Sequence, residues 1–322
     1  GMVLVSADDP AMHSSQNEQD NRYYGLIAKI PVMEPSDSQE AKSFLMEGYE
    51  ISERFDTPVI LRTTTRVNHS KSLVEIREPR DIEVKPYEKN PAKYVMTPGN
   101  AIGRHKAVEE RREALTRFAG ETGLNRVEKG DKKIGFITSG ISYQYLKEIL
   151  PEASYLKLGL LWPLNEKLIK DFAASVDRVI VVEELEPVLE TQIKAMGVDC
   201  DGKNLIPRRG ELSEETLRRC LAEAGVIAKG PEASAYVSDQ RLPVRPPILC
   251  PGCSHRGMFY TLKNMGLHVS GDIGCYALGS APPFGVLDTT VCMGASVTGA
   301  FGMELARGDE FAEKCVAGIG DS

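Results

Sequence analysis

Short apolar runs alternate with amphipathic helical patterns along this chain, and this alternation constrains the fold more than any other feature. The predicted strands cover residues 2–6, 59–61, 134–138, 155–160 and 178–182. The predicted helices cover residues 36–55, 107–122, 142–150, 166–175 and 213–224. Because strands that alternate with helices at this spacing usually pair in parallel, the pattern predicts an α/β protein with parallel sheets. Ser36 is the predicted N-cap of the first long helix, with Gln39 as its capping-box partner.

Composition narrows the class of protein and its partners. The 322 residues are 42% hydrophobic and 26% charged, and 39 Lys+Arg against 46 Asp+Glu give a net charge of −7. This acidic balance argues against nucleic acid as a partner, and no apolar run is long enough to span a membrane. The 7 cysteines, without a signal peptide, favour free or metal-bound thiols over disulfides. We therefore expect a cytoplasmic protein with no membrane or nucleic-acid partner.

Changes in hydrophobic periodicity along the chain predict consecutive α/β units separated by polar segments. A first α/β unit, with a long polar loop over residues 8–22, gives way to a linker at residues 70–100 that is poor in apolar periodicity. A second α/β unit begins near residue 131, and a third begins at residue 246 after a polar stretch. The strand at residues 2–6 has no element before it, and the chain stops directly after an apolar run. We expect a piece of a longer protein.

Cysteines near the start of the third unit are candidate metal ligands. Cys250 and Cys253 form a C-x-x-C pair, and Cys275 follows later. The turn within such a pair brings both sulfurs to one side, so the pair can hold iron or zinc at two corners. A cluster needs four ligands, and the fourth would be Cys292 or lie beyond residue 322. Zinc held with the help of His255, and structural thiols in a tight turn, are the alternatives.

Glycines in the third unit indicate an anion site at the end of a sheet. Gly271 and Gly274 flank a predicted strand end, where glycine lets backbone N–H groups approach a phosphate closely; an ordinary tight turn is the alternative. Gly294, Gly299 and Gly302 lie on a predicted helix whose N-terminus would point at an anion. Each helical glycine costs about 1 kcal/mol relative to alanine, so three of them predict close packing of this helix on the sheet.

The final residues predict a magnesium ligand. Asp321 follows Gly320 at the end of a short apolar run. A carboxylate at the carboxyl end of a buried parallel strand is where α/β proteins hold Mg²⁺ together with a diphosphate. An acidic residue in a surface loop is the alternative interpretation.

Together these segments resemble the thiamine diphosphate-dependent 2-oxoacid:ferredoxin oxidoreductase superfamily, and within it the large (alpha) subunits of the indolepyruvate type. The resemblance covers nearly the whole chain and is carried by SADDPAMHSSQNEQD, KIGFITSG, VIVVEELEP, LCPGCSHRG, GDIGCYALG, DTTVCMGAS and IGDS. It implies a thiamine diphosphate-binding fold of consecutive parallel-sheet domains. These are the C-terminal part of a pyrimidine-binding domain over 1–80, a linker and helix over 81–130, a transketolase C-terminal-like domain over 131–245, and the N-terminal part of the thiamine diphosphate-binding domain over 246–322.

The resemblance also implies an activity, its cofactors and its partners. The activity is oxidative decarboxylation of arylpyruvates to aryl-acyl-CoA, with electrons passed to ferredoxin. The cofactors are thiamine diphosphate, Mg²⁺ and [4Fe-4S] clusters, and the partners are a smaller beta subunit, ferredoxin, coenzyme A and the 2-oxoacid. The implied cofactor-binding residues are Gly274, Cys275, Tyr276, Cys292, Met293, Gly294, Gly320, Asp321 and Ser322. Asp321 would bind Mg²⁺, and Cys250, Cys253 and Cys275 would bind iron–sulfur.

Parts of the family's active site are expected outside this chain. The glutamate that activates the aminopyrimidine is expected upstream of residue 1, and the second Mg²⁺ ligand and the C-terminal cysteine repeat beyond residue 322. We therefore expect this fragment alone neither to bind the cofactor tightly nor to turn over, and no catalytic residue is assigned. The alternatives are a ferredoxin oxidoreductase for another 2-oxoacid and a zinc-binding structural module.

Overall fold

The computed structural model describes residues 1–78, 86–228, 243 and 246–320. The chain divides into two compact units, Gly1–Ala233 (the first unit) and Ser234–Ser322 (the second unit). The strands are β1 (Val3–Asp8), β2 (Val32–Met33), β3 (Val59–Thr64), β4 (Arg126–Glu128), β5 (Asp131–Ser139), β6 (Ala153–Leu158), β7 (Leu160–Trp162), β8 (Arg178–Val182), β9 (His268–Gly271), β10 (Thr289–Thr290) and β11 (Cys315–Ala317).

The helices fill the connections between these strands. They are α1 (Arg22–Ala28), α2 (Ser38–Phe55), α3 (Thr65–His69), α4 (Pro91–Tyr94), α5 (Pro98–Ala119), α6 (Gly140–Ile149), α7 (Glu166–Ala173), α8 (Val188–Ala195), α9 (Glu214–Glu223), α10 (Ser254–Met265), α11 (Ala295–Arg307) and α12 (Asp309–Ala312). A 3₁₀ helix covers Cys275–Ser280.

The first unit contains two four-stranded sheets with mostly parallel pairing. One sheet has the order β1-β3-β2-β7, in which β1 and β2 pair in parallel with β3 and β7 closes the edge in antiparallel fashion. The other has the order β4-β6-β5-β8, in which β5 pairs in parallel with β6 and β8, and β4 is the antiparallel edge. Successive residues Phe136 and Ile137 of β5 are both fully buried, as expected for a parallel strand covered on both faces.

The second unit contains one three-stranded parallel sheet in the order β10-β9-β11. Its core includes Leu249, Phe259 of α10, Val269 of β9 and Val286. The observed architecture confirms the predicted α/β class with consecutive, mainly parallel sheets. The predicted domain boundaries remain predictions.

Three predictions about the ends of helices are wrong. The long helix begins at Ser38 and its N-cap is Asp37, whose side chain accepts a hydrogen bond from the Glu40 backbone N–H at 2.8 Å. Glu40 in turn accepts from the Ser36 backbone N–H at 2.8 Å, so the capping partner is Glu40 and not Gln39. The charged helix begins at Pro98 rather than at residue 107, because proline suits the first helical turn.

The strand predicted over residues 155–160 is divided between the two sheets. β6 ends at Leu158 and β7 begins at Leu160, which pairs with Met33 of the other sheet. The Asn125 side chain accepts hydrogen bonds from the backbone N–H groups of Gly159 and Leu160, both at 3.0 Å, and fixes the break. A Cβ at Gly159 would lie 2.5 Å from the Leu124 carbonyl oxygen, so this position requires glycine.

Candidate functional site

The strand order of the second unit places a candidate site at the carboxyl ends of β9 and β11. The chain runs from β9 to β10 on one side of it and then, through α11, to β11 on the other side. Such an order produces a topological switch point between β9 and β11, and open α/β sheets bind their ligands in the crevice at that point. The glycine-containing segments that the sequence singled out all lie at this edge.

Asp272, directly after β9, ties these segments together. Its Oδ1 accepts hydrogen bonds from the backbone N–H groups of Ile273 (2.9 Å) and Gly294 (2.8 Å), and its Oδ2 accepts from Gly320 N–H (2.8 Å). Asp272 as a residue is 1% exposed. The hydrogen bonds, that from Gly320 first, lower the pKa of Asp272, so the carboxylate is ionised at neutral pH. Sequence reasoning missed this residue, although its place at a strand end between two glycines was a usable signal.

Two glycines at this edge have backbone conformations that favour glycine. Gly274 has φ 102° and Gly294 has φ 80°, and both lie beside the Asp272 loop. Because a Cβ is strained in this region, these positions can turn backbone N–H groups in directions that other residues rarely reach. Cys275 and Tyr276 follow Gly274 in the 3₁₀ helix, and Cys292 and Met293 are exposed just before Gly294.

The first turn of α11 offers a further polar group. The Ser296 hydroxyl is buried and has no hydrogen-bond partner within the described part of the chain. Gly299 confirms the predicted close packing, since a Cβ there would lie 2.9 Å from the Ser270 Oγ of β9. Gly302 contradicts it, because a Cβ there would meet nothing within 4 Å.

The predicted metal ligands have different outcomes. Asp321 and Ser322 lie outside the described residues. Cys250 and Cys275 are exposed, while Cys253 is half-buried. Across residues 1–78, 86–228, 243 and 246–320, no three His, Cys, Asp or Glu side chains lie close enough together to hold a metal ion. The cysteine ligation therefore stays a prediction.

Cys253 has a neighbour that bears on its chemistry. Its Sγ lies 3.2 Å from His255 Nδ1 at the start of α10. The His255 ring stands edge-on to Tyr276, with ring centroids 4.7 Å apart. Ser254, His255, Met258 and Tyr276 line a cavity of about 370 Å³. The contact between Cys253 and His255 is the part of the predicted zinc set that the structure brings together.

A buried charge network in the first unit was missed by sequence reasoning. It lies where β1, β2, β3 and β8 end, and its members are Asp8, Asp20, Arg22, Glu34, Arg62, Glu183 and Glu184. Arg62 Nε donates to Asp8 Oδ2 at 2.7 Å, and its Nη1 donates to Glu34. Arg22 Nε donates to Asp20 Oδ1 at 2.8 Å, and Nη1 donates to Glu183 Oε2 at 2.5 Å. The arginine inside the apolar run VILRTT was the available signal.

The polar loop at residues 8–22 is held in place by its own side chains. Asp9 accepts hydrogen bonds from the Thr65 hydroxyl at 2.7 Å and from the backbone N–H groups of Ser14 and Ser15 at 2.9 and 3.0 Å. The bond from Ser14 contributes most to lowering the pKa of Asp9. Ala11 and Met12 have φ of 69° and 52°, which is strained for residues with a Cβ.

None of the helices in the described ranges combines the length and the apolar character that a bilayer crossing requires.

Comparisons with known proteins identify relatives of this chain. A family model described as Indolepyruvate oxidoreductase domain matches residues 125–217. Indolepyruvate oxidoreductase subunit IorA of Archaeoglobus fulgidus is 38% identical over 346 residues, covering 100% of this chain and 54% of the relative. The subunit of the same name from Methanothermobacter marburgensis is 38% identical over 349 residues, covering 100% of this chain and 55% of the relative. The chain thus spans about half the length of the curated relatives it matches.

Among solved structures, 2-oxoglutarate:ferredoxin oxidoreductase from Magnetococcus marinus aligns with a TM-score of 0.46 and 16% identity, over 62% of this chain and 44% of that chain. The sequence matches place this α/β chain in the class of oxidoreductase subunits. Within that class, it belongs to the indolepyruvate oxidoreductase family whose matching members are named subunit IorA.

Proposed function

We propose that this chain is part of the large subunit of an enzyme that oxidatively decarboxylates arylpyruvates of the indolepyruvate type. The products are the aryl-acyl-CoA and electrons passed to ferredoxin, and a smaller beta subunit completes the enzyme. Family membership supports the reaction class. The observation that carries the proposal for this chain is the Asp272 carboxylate, which gathers three loop segments at the β9/β11 switch point.

The residues around Asp272 fit a diphosphate group. Positive φ at Gly274 and Gly294, the N-terminus of α11 and the unpartnered Ser296 hydroxyl provide donors and a favourable dipole for an anion. Asp272 itself accepts three backbone N–H bonds, so we assign it a positioning role for the loops. The residues proposed to line the cofactor are Gly274, Cys275, Tyr276, Cys292, Met293, Gly294 and Gly320, with Asp321 as the Mg²⁺ ligand and Ser322 beside it.

When bound, thiamine diphosphate supplies the electron sink for decarboxylation of a 2-oxoacid. The task of this chain's own residues is to hold the diphosphate end at a fixed place and to orient it. The apolar packing of Phe259, Phe284 and Tyr276 behind the loops supports their position. Cys250, Cys253 and Cys275 stay candidate iron–sulfur ligands, and no step is assigned to them.

The test uses the full-length protein and titrates thiamine diphosphate with Mg²⁺ by calorimetry. Asp272→Ala removes all three loop contacts and should weaken binding at least about tenfold, the effect of losing about 1.4 kcal/mol. Asp272→Asn keeps a carbonyl oxygen and should lie between Asp272→Ala and wild type. Exposed Glu310 provides the control variant Glu310→Ala, which should bind like wild type. Circular dichroism establishes that each variant is folded, and wild-type affinity in a folded Asp272→Ala protein would refute the assigned site.

The same titration applied to the 322-residue chain tests the expectation that this fragment does not bind the cofactor tightly. Micromolar binding by the 322-residue chain would contradict that expectation.

A further inference from the structure

The buried charge network of the first unit contains more carboxyl groups than cations. Its carboxyl side chains are Asp8, Asp20, Glu34, Glu183 and Glu184, and its cations are Arg22 and Arg62. Every one of these residues is 5% exposed or less by residue or side chain. Because an unpaired charge is costly to bury, a carboxyl group without a cation partner takes up a proton instead.

Pairing within the network singles out one carboxyl group. Asp8 and Glu34 both contact Arg62, and Asp20 and Glu183 both contact Arg22. The Glu184 side chain accepts a hydrogen bond from the Leu212 backbone N–H at 2.9 Å through Oε1. Within the described residues, no salt bridge reaches the Glu184 carboxyl group. Arg22 contacts only its main-chain carbonyl oxygen, at 2.8 Å.

We propose that the buried charge network holds one proton at pH 6 and that Glu184 is the carboxyl group that keeps it. In that state the Glu184 side chain is a neutral acid that accepts from Leu212 through one oxygen and carries the proton on the other. The network then has four carboxylates and two guanidinium groups in place of five and two.

The surroundings of Glu184 support this assignment. Burial is the largest cause and raises the pKa of Glu184 to about 7. The pKa of Glu184 is lowered by the hydrogen bond from the Leu212 N–H and by the positive charges of Arg62 in β3 and Arg22 in α1. It is raised further by the negative charge of Glu34 after β2. Tyr145 of α6, Arg66 of α3 and Lys203 also interact electrostatically with Glu184. Burial also raises the pKa values of Asp8 and Glu183, but the Asp8 carboxyl group contacts Arg62 and the Glu183 carboxyl group contacts Arg22.

The consequence is a pH-sensitive contact within the first unit. Glu184 contacts the segment before α9 through Leu212 and contacts α1 through its carbonyl oxygen. A charge on its side chain costs free energy at this place, because the carboxylate would be buried without a cation partner and the Leu212 N–H offsets only part of that cost. Because its folded-state pKa lies above the unfolded value of 4.5, its contribution to stability is complete below about pH 4.5 and is lost as the pH rises through about 7. Between these values the folding equilibrium constant changes by about tenfold per pH unit through this group.

Infrared spectroscopy of the full 322-residue chain tests the proposal directly, since a protonated carboxyl group has a C=O stretch separate from that of a carboxylate. We expect this band at pH 6, its loss as the pH rises past about 7, and its absence in Glu184→Gln at both pH values. Glutamine has the shape of the neutral acid, so the variant should fold, and its stability should lose the pH dependence that wild type shows between pH 5 and 7. The neighbouring Glu186→Gln variant is the control and should keep the band.

Two results would overturn the assignment. A wild-type spectrum without the band at pH 6 would show that the network holds no proton. A band that persists in Glu184→Gln and disappears in Glu183→Gln would show that Glu183, and not Glu184, carries the proton.

Discussion

Removing Arg22 tests whether the buried charge network stabilises the first unit. Arg22 is 1% exposed and its guanidinium group donates to Asp20, to Glu183 and to the carbonyl oxygens of Glu184 and Glu186, the last two at 2.8 and 2.9 Å. Arg22→Met fills part of the same volume without a charge. It leaves the Asp20 and Glu183 carboxylates buried without their cation.

The expected loss in the free energy of unfolding of Arg22→Met follows from the cost of burying a charge without its partner. Burial tends to raise the pKa of Asp20. The charge and hydrogen bonds of Arg22 contribute most to outweighing burial, so the pKa is lowered from a usual 3.8 to about 2. That difference corresponds to about 2 kcal/mol from Asp20 alone. Breaking a buried ion pair by removing one partner typically costs 3–5 kcal/mol, so we expect about 3–5 kcal/mol for Arg22→Met at pH 7.

Urea unfolding followed by circular dichroism measures this loss. Arg218→Met is the matched control, because Arg218 is 47% exposed and pairs with Glu214 four residues before it, a contact worth about 0.5 kcal/mol or less. Arg22→Lys keeps a charge but not the planar fork, and should fall between wild type and Arg22→Met. A loss below about 1 kcal/mol for Arg22→Met, similar to that of Arg218→Met, would refute the reasoning.

The pH dependence gives a second check on the same variant. Since the pKa of Asp20 is lowered in the folded state, its contribution to stability is present above about pH 4 and is lost as the pH falls through about 2. In Arg22→Met this contribution is absent, and the carboxylates of Asp20 and Glu183, which have lost their cation, can be protonated in mild acid. We therefore expect the difference between wild type and Arg22→Met to be largest near pH 7 and to narrow towards pH 4.

Two further predictions concern the second unit. Gly302→Ala should stabilise the protein by about 1 kcal/mol through helix propensity, whereas Gly299→Ala should be less stable than Gly302→Ala by about 1–3 kcal/mol because its Cβ would meet Ser270 at 2.9 Å. Thermal unfolding of both variants measures this difference in stability. Equal changes in stability for the two variants would show that α11 can shift away from β9. Anaerobic iron and acid-labile sulfide analysis of the full-length protein should show that Cys253→Ser loses one cluster's worth of iron while Cys200→Ser, at a buried thiol, loses none. Zinc without sulfide in the wild type would favour the structural zinc module, and an unchanged iron content would make Cys253 a structural thiol.

The order of strands and helices was predictable because parallel β-α alternation leaves a strong periodic signal. The strand at Arg178–Val182 was located correctly, and the helix Glu214–Glu223 begins directly after Ser213, which caps it. The break between β6 and β7 was not predictable. It depends on Asn125, a residue that is distant in sequence and becomes a neighbour only after folding.

By itself, the sequence determined the α/β class, the family and the glycine segments Gly271–Gly274 and Gly294–Gly299, because these depend on local periodicity and on motifs that are contiguous in the chain. Only the tertiary structure decided that Asp272 joins those segments to Gly320, and that Arg22 and Arg62 contact four carboxyl groups in one buried place. The physical reason is that desolvation and pairing depend on residues as much as 161 positions apart, as between Arg22 and Glu183. A charged side chain in the sequence does not show whether water or another side chain will surround it.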